Sequence, residues 1–453
     1  MSMVSEAVMT AFRGSLRGPS FAPGEPGYDA ARVVFNQSID RRPALIARCA
    51  GSADVIACVG FAREERLPVA VRGGGHSIAG KAICDDGLMI DLSAMKGIRV
   101  DPATRTVRAE PGLTLGEFDR ETQAFGLATT MGVISTTGIA GLTLGGGMGW
   151  LIGKHGLACD NVIAMDVVIA DGRLLKASEQ ENADLFWAMR GGNGNFGIVN
   201  SFEYRLHELG PVFGGGVLYP VDQTQDVLRF YRDFALSGPD ELSTQMGRIC
   251  TLDGVPVVAV AGCYSGSLDA GEKVLAPLRR FGSPIADLFG PISYLQMQSM
   301  FDPWFPPGRQ AYWKANFLNG LPDDAIEIFH RFAQTAPSPY TTGPWLESVH
   351  GAVSRVDPSE TAFAHRRHPF NFLVLSSWSE PSEAERNIAW TRECWDAMRP
   401  FMATGAYVNY LEDEADPHAR DAYGANYDRL LKLKNKYDPD NLFRINHNIK
   451  PIM

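Results

Sequence analysis

The segment Val71-Arg72-Gly73-Gly74-Gly75-His76-Ser77 ends a short apolar run that begins at Val69. Three consecutive glycines carry no Cβ, so their backbone N–H groups can close on an anion. Arg72 puts a cation at one end and Ser77 a hydroxyl donor at the other. That set suits a diphosphate. It suits equally a tight turn beside a buried His76, and the glycines alone do not choose. A second cluster tips the balance. From Thr136 the chain reads TTGIAGLTLGGGMGW, hydroxyls among glycines as far as Trp150. A plain loop of that length is uncommon inside a compact domain. The segment is expected to wrap an extended ligand with phosphates at one end and a flat ring at the other. A third cluster, Gly192-Asn193-Gly194-Asn195-Phe196-Gly197, matches G-x-G-x-x-G in form. The dinucleotide fingerprint needs strand, loop, then helix. Here the pattern predicts helix, loop, then strand, so the match is read as accidental. No G-x-x-x-x-G-K-[ST] occurs.

These loops need elements to hold them. Val55, Val59 and Ala62 recur at helical spacing and predict a helix over 53–66. Strands are expected at 69–71, 88–92, 98–100, 106–109 and 163–170. Thr114 and Glu117 form a capping-box pattern for a helix near 115–125. A short helix at 184–190 leads to a strand with Phe202, Tyr204 and Leu206 on one face. The first thirty residues read as a loose arm. After Gly210-Pro211 the texture changes. Segments 222–236, 268–281, 322–335 and 382–402 read as amphipathic helices, the last with a Ser382/Glu385 capping box. Strand-like runs at 255–264, 345–355 and 370–378 lie between them. This is the pattern of an antiparallel sheet with helices on one face. AYVNY (406–410) and a helix near 423–436 complete the chain.

The 453 residues are 45% apolar and 21% charged, an ordinary globular composition with length for two or three domains. A net charge of −10 argues against a nucleic-acid partner and mildly against a strongly anionic substrate. There is no apolar run of membrane-spanning length and no secretory pattern at the N-terminus, so no membrane partner is expected. The 7 cysteines are scattered without a CxxC, which suggests neither disulfides nor a metal site and fits a cytoplasmic protein.

Five segments together resemble the FAD-linked oxidases of the berberine-bridge-enzyme type, within the broader vanillyl-alcohol-oxidase, or PCMH-type, fold. They are VRGGGHS (71–77), TTGIAGLTLGGGMGW (136–150), GLACDN (156–161), LFWAMRGGNGNFGIV (185–199) and YDPDNLF (437–443), in collinear order. The resemblance implies an α+β protein in which an FAD domain, residues 1–206 with 403–453, is interrupted by a substrate domain at 207–402. It implies FAD contacts from Arg72, Gly73, Gly74, Gly75, His76, Ser77, Thr137, Gly138, Gly141, Thr143, Gly145, Gly146, Gly147, Asp160, Ile198 and Asn409. It implies that His76 carries the flavin covalently; the other reading is a hydrogen bond alone. Many relatives add a cysteine bond from a C-P-x-V-G-x-G-G segment. Ile134 stands in that place here, so one bond is expected, and Cys159 reads as a small buried residue.

The chemistry implied is hydride transfer from an alcohol or amine carbon to the flavin, with a base for the accompanying proton. In relatives that base is often the second tyrosine of Y-x-N-Y, here Tyr410 of Tyr407-Val408-Asn409-Tyr410. The competing reading is a core aromatic. In an ideal strand Tyr407 and Tyr410 face opposite ways. A phenol near pKa 10 needs help to act as a base. The neighbouring strand, 370–378, offers Asn371, Ser376 and Ser377 but no acid, which leaves Glu347 and His350 as candidates. Both could instead be structural. Ile139 is expected beside the flavin, where its bulk could slow O2. Tyr219, Trp304, Phe305, Tyr312, Trp313 and Trp345 suit a flat or apolar substrate. An O2-using oxidase leads. A dehydrogenase with another acceptor and a flavin-bearing protein without turnover remain as alternatives. The oligomeric state is unreadable.

Overall fold

Val69–Arg72 lies parallel to Leu88–Asp91, which lies parallel to Leu45–Arg48, with the short Ser20–Phe21 antiparallel at the edge. The computed structural model describes residues 4–412 and 419–452. The helix Ser52–Glu64 covers this four-stranded sheet through Val55, Cys58, Val59 and Ala62, the helical spacing of the sequence. Residues 1–3 of the expected loose arm lie outside the described residues. The rest of the arm is ordered: helix Glu6–Ser15 is capped by Ser5 and stacks Phe12 on Phe61 at 3.9 Å. An apolar side chain with a partner on the sheet's covering helix is enough to dock it.

A second, five-stranded antiparallel sheet runs Ile98–Asp101, Thr106–Ala109, Ile198–Arg205, Val162–Val168, Leu174–Ser178. Helix Leu115–Gln123 packs on it, and the Thr114/Glu117 capping box is formed in both directions. The helix Ala183–Met189 precedes a 3-10 turn, Asn193–Asn195, and then the strand, so the third glycine cluster has the order the sequence predicts.

The third sheet has eight antiparallel strands. Strands Leu242–Cys250, Thr342–Ser348 and Phe370–Trp378 are adjacent at its centre, with Gln310–Leu318 beyond. Alternate residues separate its faces. Met246, Leu346, Phe372 and Val374 pack under helices Thr224–Ser237, Leu268–Arg280, Asp323–Gln334 and Ala384–Met398. The opposite face carries Gln245, Ile249, Trp345, Glu347, Leu373 and Leu375 toward the rest of the molecule. Two details depart from expectation. The run 345–355 is a strand only to Ser348, then turns at Gly351 into helix Ala352–Arg355. The Ser382/Glu385 box does not form; a 3-10 turn over Pro381–Glu383 feeds the helix, and Glu380 pairs with Glu383.

Buried side chains lock the sheets together. Asn36 donates to Ile78 O and Ala311 O, each at 2.9 Å, and accepts from Ala311 N. At the C-terminus Lys434, fully buried, donates to Asn195 O, Asp438 Oδ2 and Phe443 O. Asp438 also accepts from Leu442 N and Phe443 N. The YDPDNLF segment is therefore a buried ion-paired turn that staples the C-terminal helix Tyr427–Tyr437 to the third glycine cluster. Among the described residues no helix is long and apolar enough to cross a membrane.

Candidate active site

A cavity of about 270 Å³ lies between the two smaller sheets and the free face of the eight-stranded one. The first and second glycine clusters form one wall by direct backbone contact. A Cβ on Gly74 would stand 2.4 Å from Gly138 N, and one on Gly138 would stand 2.4 Å from Gly74 N, so neither position admits a side chain. Gly73, Gly74, Gly75, His76, Ser77, Thr137, Gly138, Gly141, Ile198 and Asn409 all line the cavity. At Gly141 a Cβ would meet no described atom within 4 Å beyond its chain neighbours and the backbone of its own helix. It would project into space that a ligand could use. Ser77 Oγ accepts Lys81 N at 3.2 Å, which shapes the turn after the glycines. His76 stacks on Phe35 with ring centres 3.8 Å apart, and its Nε2 is buried without a partner among the described residues. Burial lowers its pKa to about 4, so the imidazole is neutral and keeps a ring lone pair.

Other expected cofactor contacts lie elsewhere. Arg72 turns away from the cavity; it grips Asp91 at 3.0 and 2.5 Å and donates to Ala31 O and Val33 O. A buried guanidinium needs such a partner more than the glycine loop needs its charge. Asp160 receives Arg366 through two bonds of 2.9 and 2.7 Å and Leu157 N at 2.9 Å. Thr143 hydrogen-bonds Tyr204 Oη inside the five-stranded sheet's core. Gly145 makes room for Asn409, whose Oδ1 would be 2.0 Å from a Cβ there; Gly146 and Gly147 back onto Phe363 and Ala158. These four glycine-cluster residues shape the wall from behind. Ile139 is fully buried in the same core, not at the cavity. Ile134, in the place of the relatives' cysteine, does line it, while Cys159 is a buried core residue.

The opposite wall carries the reactive groups. Gln245, Glu347 and Asn371 are register partners on three adjacent strands, so their side chains form one row across the sheet. Asn371 Nδ2 donates to Glu347 Oε2 at 2.7 Å, and Tyr410 Oη donates to Glu347 Oε1 at 3.1 Å. The Tyr407–Tyr410 segment is not a strand. Val408–Tyr410 is a 3-10 turn, and this brings both tyrosine rings to one side, edge to face at 4.8 Å. Tyr407 Oη accepts Gly147 N and Asn409 Nδ2 at 2.9 and 2.8 Å. Burial raises Glu347 to about 7 against the lowering effect of Asn371 and Tyr410. Tyr410 is pushed well above the usual phenol range by burial and then by the Glu347 charge, so a standing phenolate is disfavoured. His350 does not reach the cavity; it sits near Asp240 and Arg355, and burial lowers its pKa.

Four of the expected aromatics, Trp304, Phe305, Trp313 and Trp345, line the cavity together with Phe301. Tyr219 and Tyr312 do not: their hydroxyls face Leu278 O and Arg392. Trp304 Nε1 donates to Cys250 O and Trp345 Nε1 to Gln245 Oε1, so both indole N–H groups are occupied. Of the row, Asn371 is already offered by the sequence, whereas Gln245 escapes sequence reasoning as a site residue, since only strand register puts it beside Glu347.

Known proteins resemble this chain along its length. Residues 43–178 match the model of an FAD binding domain, and 406–450 match the model described as berberine and berberine like. An FAD-linked oxidoreductase of Dictyostelium discoideum is 33% identical over 98% of this chain and 97% of its own. The (R)-6-hydroxynicotine oxidase of Paenarthrobacter nicotinovorans is 30% identical over 96% and 97%. The crystal structure of 6-hydroxy-D-nicotine oxidase from Arthrobacter nicotinovorans superposes with a TM-score of 0.88 at 28% identity, covering 97% of this chain and 99% of that one. The cavity walled by two glycine clusters, its neutral histidine and these full-length likenesses lead to one conclusion: the chain belongs to the berberine-bridge-enzyme-like FAD-linked oxidoreductases.

Proposed function

We propose that this protein is an oxidase that bonds FAD once, through a ring nitrogen of His76, and takes a hydride from an alcohol or amine carbon of a small aromatic substrate. Gly73–Gly75, Ser77, Thr137, Gly138, Gly141, Ile198 and Asn409 are the residues that would hold the cofactor. FAD, when bound, accepts the hydride and passes the electrons to O2. The observation that carries the reading is the Tyr410–Glu347 hydrogen bond at the cavity wall. As the substrate O–H or N–H gives its proton to Tyr410 Oη, Tyr410 passes its own to Glu347 Oε1. No free phenolate has to stand. Glu347, with a pKa of about 7, is partly ionised at neutral pH and can receive that proton. Asn371 holds the other carboxylate oxygen and favours the charged form.

The substrate half of the cavity presents aromatic faces and few free polar groups. An oligosaccharide would need a hydrogen-bond partner for each hydroxyl. A compact ring compound with one reacting heteroatom fits better, in keeping with the named substrate of the hydroxynicotine-oxidising relative. Ile139 packs in the core behind the wall, so its bulk does not occupy the cavity. In domain terms, residues 1–206 and 403–453 would hold FAD, and 207–402 would meet the substrate.

Acid precipitation of purified protein tests the bond. A yellow pellet is expected from the wild type and a colourless one from His76→Ala. A colourless wild-type pellet would overturn the covalent link. Peroxide release from a panel of aromatic alcohols and amines in air tests the reaction. Anaerobic bleaching without peroxide in air would replace the oxidase reading with a dehydrogenase.

A further inference from the structure

Residues 299–309 read SMFDPWFPPGR and contribute Phe301, Trp304 and Phe305 to the cavity lining. Pro303, Pro306 and Pro307 fix their φ angles and stiffen the segment, so it would move as a unit. Pro303, Pro307 and Gly308 are exposed, whereas Phe301, Trp304 and Phe305 face the cavity. Two polar ties hold the segment's middle. Trp304 Nε1 donates to Cys250 O at 2.7 Å, on a strand of the same eight-stranded sheet. Asp302 reaches the other side. Its Oδ1 accepts Ser135 N at 2.9 Å, and its Oδ2 accepts Ser135 Oγ at 2.5 Å.

Ser135 belongs to the loop that carries Val133, Ile134 and Thr137 into the cofactor half. That loop is itself fixed, since Ser135 O accepts Gly116 N at 2.9 Å and Gln298 Nε2 donates to Gly132 O at 2.9 Å. One tie therefore joins the segment to the eight-stranded sheet that the chain next enters at Gln310. The other crosses the line where the two cavity walls meet. A carboxylate taking two hydrogen bonds from one residue is a strong but reversible contact.

We infer that residues 302–308 form a flap over the substrate half of the cavity and that Asp302, by gripping Ser135, is the latch that holds it shut. This rests on reading the cavity as the substrate site. Asp302 touches no reacting atom; it is a positioning residue, and its role is to set how often the aromatic roof lifts from the loop at Ile134.

Hydrogen–deuterium exchange on the FAD-loaded protein tests the latch without a substrate. Asp302→Ala, which removes both acceptors, is expected to speed exchange about tenfold in both 302–308 and 133–137. Strand Phe370–Trp378 should be unchanged. Iodide quenching of tryptophan fluorescence should rise about twofold as Trp304 becomes reachable. Ser135→Ala, which keeps the backbone bond, should give a smaller change in the same two segments, and it serves if Asp302→Ala folds poorly. Faster exchange at Ser135 alone, with 302–308 and iodide access unchanged, would overturn the latch. A preparation that bound no FAD would sink the functional reading instead and leave the exchange pattern to judge the latch by itself.

Discussion

Replacing Asn371 by Leu removes the donor that sits 2.7 Å from Glu347 Oε2 and leaves the tyrosine contact in place. Burial lifts the Glu347 carboxyl from an ordinary 4.5 to about 7, with Asn371 the larger of the two restraining contacts. A hydrogen bond to a charged group contributes about 1.5–3 kcal/mol, and one pH unit corresponds to about 1.4 kcal/mol, so its loss should move the titration up by roughly one to two units. The sign for stability follows from linkage. The folded value lies above the unfolded one, so the protonated carboxyl is favoured in the fold. That contribution is complete below about pH 4.5 and is lost as pH rises through 7, a swing of about 3 kcal/mol at the observed shift. Difference infrared spectroscopy of the protonated carboxyl stretch measures the midpoint directly. The wild type should titrate near pH 7, Asn371→Leu one to two units higher, and Glu347→Gln should lose the band. The acid limb of flavin reduction should follow the same displacement. A band that titrates identically in Asn371→Leu, or that survives in Glu347→Gln, would refute the row of Gln245, Glu347 and Asn371 as the source of the proton acceptor.

Three further outcomes are expected. Gly138→Ala forces a Cβ to within 2.4 Å of Gly74 N and should cost both fold and flavin, whereas Gly141→Ala, with no described atom within 4 Å beyond its chain neighbours and its own helix, should fold normally and lose only FAD retention, read from visible absorbance per protein. Arg366→Met strands Asp160 without its cation and should lower stability by about 3–5 kcal/mol in chemical denaturation, with Asp160→Asn in the same chain recovering part of it. His155 and His207 stack at 3.6 Å, and burial lowers them to about 3 and about 4. Their folded values lie below the ordinary 6.5, so stability is present above that pH and lost as it falls toward 4. At these half-buried positions solvent screening cuts the full effect, so each histidine should cost about 1 kcal/mol by pH 5. His207→Gln, which can keep the Asn161 contact, should reduce the fall in melting temperature between pH 7 and 5 without abolishing it, since His76 and His350 are held neutral by burial as well.

Much of the scaffold is legible in the sequence because local signals and tertiary packing agree there. The Thr114/Glu117 box, the helix over the four-stranded sheet and the strand Phe370–Trp378 all follow from period and capping. Three strands of the large sheet are harder. Val212–Pro220 contains Gly214-Gly215-Gly216, which reads as a loop; a Cβ on Gly215 would lie 2.3 Å from Leu288 O, so the glycines admit the edge strands. Leu242–Cys250 is polar because one face looks into the cavity and because Arg248 is satisfied by Thr341 O at 2.6 Å. Gln310–Leu318 does alternate, Ala311, Trp313, Ala315 and Phe317 buried, but two of those are too small to mark a period.

The glycine clusters show where residue type stops being informative. Gly141 and Gly145 are four residues apart in one run, yet the first opens into the cavity and the second makes room for Asn409. Composition cannot separate them, because the same missing Cβ serves a ligand or a neighbouring side chain. The same holds for charge. Arg72 stands next to the cradle in sequence, but its guanidinium has a carboxylate, Asp91, on the adjacent parallel strand in direct register. A buried ion pair that is already matched leaves nothing for a phosphate. At the other wall the reverse occurs. Among the described residues Glu347 has no cation within hydrogen-bonding distance; an amide and a phenol are its partners. A lone buried carboxylate is costly to keep, and that cost is what brings its titration to the pH at which a proton must be accepted.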